Sequence, residues 1–181
     1  MAMDLTRVVV VDIEATCWEG KPPQGQKNEI IEFGIALLNV KTGEVEANEG
    51  ILVKPITSEI SPFCTSLTTI TPEMVATDGL PFAEACAYLQ QQYQTKNRIW
   101  ASYGAYDYNQ IQKQCLQQQV LFPLGVQHLN VKAFFNLKHK MSYPVGMSQA
   151  LEKLGLPLTG THHRGVDDSR NIAAILAHLL R

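Results

Sequence analysis

The chain has 181 residues, 45% of them hydrophobic and 18% charged, which is the make-up of one globular domain with enough chain to bury a sizeable core. A formal net charge of −2 excludes a protein that grips a polyanion by bulk charge, so any nucleic acid must be held by metal ions and a local patch. Four cysteines, at 17, 64, 86 and 115, show no close pairing and no metal-ligand spacing and read as reduced, packed thiols of a cytoplasmic protein, and the N-terminal apolar run is too short for a signal peptide or a membrane span.

The first predicted element is a strand over residues 8–16. Val8-Val9-Val10-Val11 is the pattern of a strand buried on both faces, and Asp12 and Glu14 follow where it leaves the core. Strand side chains alternate, so Asp12 and Glu14 share a face with Val8 and Val10. About 6 Å apart at an effective dielectric near 20, two such charges repel by roughly 3 kcal/mol. A bound divalent cation, or one raised pKa, relieves that repulsion. An Asp-x-Glu at a strand end is also common without a ligand, and it gains meaning only if other acids reach the same place.

Residues 20–25 carry two glycines and two prolines and form a loop. Residues 30–38 are again apolar apart from Glu32 and Gly34, 41–44 make a Gly-containing turn, and 45–53 return as a third strand, giving an antiparallel hairpin. Residues 55–71 lack periodicity and read as a long functional loop. From Pro81 to about residue 94, Phe82, Ala85, Cys86, Leu89 and Tyr93 fall at helical spacing. A short strand over 98–102 is broken by Gly104, and a helix follows through Ile111 and Cys115. A short strand over 128–131, a helix over 147–154 and a final helix over 166–180 complete the chain. The glutamines at 90–94 and 110–119 are assigned to solvated helix faces. Together these elements describe an α/β domain on a mixed sheet.

Two further acids stand out. Asp107 opens the helix after the fourth strand, where the helix dipole alone would favour it. Asp168 lies four residues before Ile172 and seven before Ile175, on the apolar stripe of the last helix, and an inward carboxylate needs a partner. Asp167 is expected to face solvent. His163 precedes Asp168 by five residues, with His162 beside it as a loop residue that caps or packs.

Asp12-Ile13-Glu14 after an apolar strand, Asp107 after Trp100-Ala101-Ser102-Tyr103-Gly104, and His163 five residues before Asp168 resemble the three exonuclease motifs of the DnaQ-like family, in its DEDDh branch. The likeness extends through Ala15-Thr16-Cys17, the segments 28–34 and 63–71, and 163–173, in family order. It is nearest to the exoribonucleases that trim histone mRNA 3′ ends and small interfering RNAs. The resemblance implies a single domain over residues 1–181 with a ribonuclease H-like fold, a five-stranded mixed sheet flanked by helices. It implies 3′-to-5′ hydrolysis that releases nucleoside 5′-monophosphates. Asp12, Glu14, Asp107 and Asp168 would hold two divalent cations, Mg²⁺ or Mn²⁺, with His163 as general base. Two ions of this kind activate water and stabilise the leaving 3′ oxygen.

The resemblance also places Phe63, Leu67, Tyr106 and Tyr108 around the terminal base, His163 within reach of the substrate, and the backbone of Ala15 beside the terminal ribose, where a 2′-OH is sensed. Thr69 stands where many relatives have Gly. Lys132, Lys138, Lys140, Lys153 and Arg164 are the basic candidates for phosphate contact. The partner that the resemblance implies is the 3′ end of a single-stranded RNA or DNA, with RNA favoured. The alternatives are the same chemistry on DNA, or a catalytically silent binding module, which would have no use for the acids and the histidine.

Overall fold

The computed structural model describes residues 3–181. The Val8–Val11 run lies in β1 (Asp4–Ala15), the middle strand of a five-stranded sheet of order β3-β2-β1-β4-β5. On one side β1 pairs antiparallel with β2 (Ile30–Asn39), which pairs antiparallel with β3 (Val45–Leu52). On the other, β4 (Arg98–Ser102) runs parallel to β1, and β5 (His128–Asn130) parallel to β4. This is the mixed α/β sheet expected from the sequence.

Both faces of β1 are covered, which is why its apolar run does not alternate with polar residues. Val8 and Val10 enter a core shared with Ala36, Leu38 and the stripe Ile172, Ile175, Leu176 and Leu179 of α7 (Gly165–Leu179). The helices α5 (Val131–Lys138) and α6 (Met147–Leu154) close that side. Val9, Val11 and Ile13 point the other way, against Phe33, Ile35, Trp100 and the buried faces of α3 (Phe82–Tyr93) and α4 (Tyr106–Gln118). Each fully buried Val or Leu contributes about 1.5–3 kcal/mol, so the centre of β1 is held rigidly. Among the described residues no helix is long and apolar enough to cross a membrane.

The segment 55–71 is not one long loop. It contains α1 (Pro62–Thr68), and α2 (Pro72–Asp78) follows at once. Each starts with proline at its first turn and a hydroxyl cap: Ser61 Oγ accepts from the Cys64 N–H at 3.0 Å, and Thr71 Oγ1 from the Met74 N–H at 3.2 Å. Those Ser-Pro and Thr-Pro pairs were readable start signals, but helices of 7 residues are too short to show a period. The last short strand stops at Asn130, one residue early, because the Asn130 side chain caps α5 by accepting from the Ala133 N–H at 3.0 Å.

Two glutamines assigned to solvent are buried. Gln114 Oε1 accepts from the Ile30 N–H at 2.9 Å and Gln110 Nε2 donates to the Asn28 carbonyl at 2.9 Å. They tie α4 to the start of β2, at Ile30 and at Asn28 just before it. The cysteines, distant in sequence, sit side by side as Cys17 with Cys64 and Cys86 with Cys115, all four as free thiols. Burial and the neighbouring thiol push Cys17 up to about 12.

The N-terminus of α7 is seated on β2 by close backbone contact. A Cβ placed on Gly34 would lie 1.8 Å from the carbonyl carbon of Gly165, and one on Gly50 would lie 2.5 Å from Glu32 Oε1. Backbone cannot yield as a flexible side chain would, so Gly34 is required by the approach of α7. Gly34→Ala should therefore destabilise the domain by about 3 kcal/mol or more, at or beyond the upper end of ordinary overpacking. Urea denaturation checks this, and an unchanged midpoint would show that α7 does not rest on β2 in this way.

Candidate active site

Asp12 and Glu14 emerge from the end of β1 on the face that α7 covers, opposite Gly34 and Glu32 of β2. Asp107 reaches them from the first turn of α4, where its Oδ1 accepts from the backbone N–H of Ile13 at 3.0 Å. That bond places its carboxylate beside the residue between Asp12 and Glu14. Asp168 arrives from the first turn of α7, with Oδ2 accepting from the His163 N–H at 2.9 Å. One carboxylate oxygen each from Asp12, Glu14 and Asp168 lie within 4.8 Å of one another. Asp107, Tyr106, His162 and His163 line the same cavity of about 270 Å³, together with Tyr103, Met147 and Ile172.

Such a cluster is electrostatically costly, and the carboxyl groups respond. Burial, then the charges of Asp107, Glu14, Asp168 and Glu32, raise Asp12 well above the usual carboxylate range. Burial, followed by Asp168, Glu32 and Asp107, pushes Glu14 up to about 9. Asp107 rises to about 6 through burial, opposed by the Ile13 N–H that stabilises its charged form. Burial, then His162, lowers the pKa of His163, while Asp168 acts in the opposite sense.

The residues expected from the sequence divide into two groups. Asp12, Glu14, Asp107, His163, Asp168 and Tyr106 share the cavity. Phe63 and Leu67 lie outside its lining, on the exposed side of α1 at 41% and 37% exposure. That helix is anchored beside the end of β1, with Cys64 Sγ 3.6 Å from the Ala15 carbonyl and Ser61 Oγ donating to the Cys17 carbonyl at 2.6 Å. Tyr108 is not brought to the cavity. Its ring stacks on Trp100 and His128, with centroids 5.8 and 5.5 Å away, and meets Phe122 edge-on. Two helical steps of about 100° each set Tyr108 about 200° round the helix from Tyr106, so they cannot both face the acids.

Other residues take places that the sequence did not indicate. Glu32 is fully buried; its carboxylate accepts from the Gly165 N–H at 2.7 Å and from Arg164 at 3.2 Å. The signal was an acid inside an otherwise apolar strand. Arg164, a candidate for phosphate, is drawn inward by Glu32 and also donates to Thr69 Oγ1 at 3.2 Å. Thr69 occupies the left-handed region at φ 62 as the C-cap of α1, which explains why glycine suits this position. His162, read as a bystander, is the ring that meets Asp168, with Nδ1 at 3.1 and 3.2 Å from the two carboxylate oxygens. Asp167, expected in solvent, is half-buried and accepts from the Thr161 N–H at 2.8 Å.

Sheet order, mixed strand polarity and carboxylates gathered at the end of the middle strand are those of the ribonuclease H-like exonucleases. A family model described as exonuclease, of RNase T type, matches residues 9–176, and the chain belongs to that family. Human 3′-5′ exoribonuclease 1 is 33% identical, over 96% of this chain and 52% of its own length. The Drosophila melanogaster 3′-5′ exonuclease Snipper is 30% identical, over 96% of this chain and 69% of its own length. The solved nuclease domain of 3′hExo, a DEDDh family member bound to rAMP, matches with a TM-score of 0.87 at 30% identity, covering 99% of this chain and 94% of that one. The chain spans between 28% and 69% of the length of the curated relatives it matches. The likeness to the DEDDh exoribonucleases drawn from the motifs is thereby borne out.

The raised pKa values have a consequence for stability. Glu14 and Asp107 have ordinary values of 4.5 and 3.8 and folded values of about 9 and about 6. A carboxyl group raised on folding contributes stability that is complete below its unfolded pKa and lost as pH rises through its folded pKa. The metal-free protein should therefore lose Tm steadily between pH 5 and 9, by about 2–4 °C for each kcal/mol lost. Thermal melts in EDTA across that range test this, and Asp12→Asn should raise the curve at the alkaline end. A Tm that climbed with pH would mean the carboxyl groups are not crowded as described.

Proposed function

We propose that this chain is a metal-dependent 3′-to-5′ exonuclease that removes nucleotides from single-stranded RNA, or from single-stranded 3′ overhangs, as nucleoside 5′-monophosphates. The observation that carries the reading is the convergence of Asp12, Glu14 and Asp168 within 4.8 Å in a cavity that Asp107 and His163 also line. An all-oxygen donor set suits hard cations, and Mg²⁺ or Mn²⁺ are the ions it fits. Asp12, Glu14 and Asp168 would hold two such ions, with Asp107 completing the site. Bound there, they would supply Lewis-acid activation of water and charge neutralisation at the leaving 3′ oxygen.

The side chains do the remainder. His163, kept neutral near pH 7–8 by a lowered pKa, accepts the proton of the attacking water. Tyr106, at the mouth of the cavity, and Phe63 and Leu67 on α1 flank the terminal base, where stacking is worth about 1–3 kcal/mol whatever the base. Tyr108 contributes by bracing α4 against Trp100 and His128. The backbone at Ala15, next to α1, lies where a 2′-OH would be read. The names of the relatives, with the rAMP of the 3′hExo domain, support RNA over DNA; hydrolysis of DNA by the same residues is the alternative.

Two experiments test the proposal. Asp12→Asn should abolish turnover at any Mg²⁺ or Mn²⁺ concentration, and His163→Ala should lose about 10²–10⁴-fold, the usual worth of a general base. His162→Ala should lose far less, and a larger loss there would place the base on the other ring. In the second, 5′-labelled linear RNA should shorten stepwise from its 3′ end while the same RNA circularised stays intact. Cleavage of the circle would make the chain an endonuclease, and faster decay of the matching deoxyribo-oligomer would favour the DNA reading.

A further inference from the structure

The loop before α7 brings together a second ligand set, distinct in chemistry from the carboxylate cluster. His162, His163 and Asp168 each present a donor atom, and these atoms lie within 4.8 Å of one another. Consecutive side chains on an extended backbone point to opposite sides. Here the backbone turns through the left-handed region at His163, φ 66, and the two imidazoles stack with centroids 4.0 Å apart and planes 25° apart. Asp168 is fixed beneath them by the His163 N–H, and the Nδ1 of His162 is already within 3.2 Å of both its oxygens. A non-glycine residue at positive φ is held there only by its surroundings, so the loop is tied down in the conformation that gathers the rings.

We infer that His162, His163 and Asp168 form an inhibitory binding site for Zn²⁺. Two imidazoles and one carboxylate, with room in the cavity for water as a fourth ligand, are the donors of open zinc sites. Imidazole favours Zn²⁺ strongly over Mg²⁺ and Mn²⁺, whereas Asp12, Glu14 and Asp168 offer oxygen alone. The two sets share Asp168. Zinc on the nitrogen-bearing set draws on the carboxylate that the oxygen-bearing set needs and occupies His163, whose free nitrogen is the proton acceptor proposed above. Inhibition rests on that functional reading; binding does not.

The test separates the two. With metal-stripped protein in millimolar Mg²⁺, Co²⁺ serves as the spectroscopic probe and Zn²⁺ as its competitor. The wild type should bind one Co²⁺ per chain with visible d–d absorption that Zn²⁺ removes and further Mg²⁺ does not. His162→Ala should weaken Zn²⁺ binding by at least about 10–100-fold, since even outer-shell partners of a metal ligand are worth that much. Asp12→Asn should leave binding intact, because Asp12 belongs only to the oxygen set. In the nuclease assay Zn²⁺ should stop the wild type at concentrations that leave His162→Ala running, each normalised to its own zinc-free rate. Zinc binding that is lost in Asp12→Asn but unchanged in His162→Ala overturns the inference, as does an active nuclease that binds no Co²⁺ in Mg²⁺. A chain that binds Co²⁺ as described yet degrades no RNA or DNA would keep the zinc site and remove the nuclease reading.

Discussion

The crowding of carboxylates at the end of β1 is the constraint around which the rest of the domain is arranged. Asp12 and Glu14 are on one face because strand side chains alternate; Asp107 and Asp168 are added from two helices, and Glu32 stands behind them on the neighbouring strand. Like charges a few ångströms apart in a partly desolvated site repel by several kcal/mol. Only a framework that is over-determined elsewhere tolerates this. The framework is the two-sided burial of Val8–Val11 and Ile13, which leaves the strand no freedom to turn its acids outward.

Attachment of α7 shows how the strain is distributed. Its first turn lies against Gly34 without an intervening side chain, and the buried Glu32 carboxylate binds the Gly165 N–H and the Arg164 guanidinium. A buried acid paired with cation and backbone donor is satisfied where an unpaired one would not be. Glu32 is thus an acid at the site that has its own partners, while burial and the neighbouring charges hold Asp12 and Glu14 above the usual carboxylate range. Arg164 extends the connection to Thr69 at the end of α1, so the helix carrying Phe63 and Leu67, the loop carrying the two histidines and the strand beside the acids are joined by one guanidinium.

Burial on both sides of the sheet also explains the division of labour in α4. Asp107 turns toward the end of β1 and is held by the Ile13 N–H, Gln110 and Gln114 bind the entry of β2, and Tyr108 closes on Trp100. One helix of 13 residues therefore supplies an acid, two structural amides and an aromatic brace. Its outer face, with Leu116 at 76% exposure, carries none of these.

The convergence of Asp12, Glu14, Asp107 and Asp168 was implied by the resemblance to the DEDDh exonucleases; the strands and the α/β class were legible in the sequence itself, because they depend on local periodicity and on the order of strand ends and helix starts. Motif spacing was enough to identify the exonuclease family for the same reason. The short helices α1 and α2 were within reach through Ser61-Pro62 and Thr71-Pro72, but not through any period. What only the tertiary structure decided are contacts that no helix or strand period encodes. These are the burial of Gln110 and Gln114 against β2, the capture of Arg164 by Glu32, the pairing of the cysteines, the turning of Tyr108 into the aromatic cluster and the meeting of His162 with Asp168. Each depends on where a side chain finds a partner across 6 to 132 positions of sequence, and no spacing rule along a single strand or helix encodes that distance.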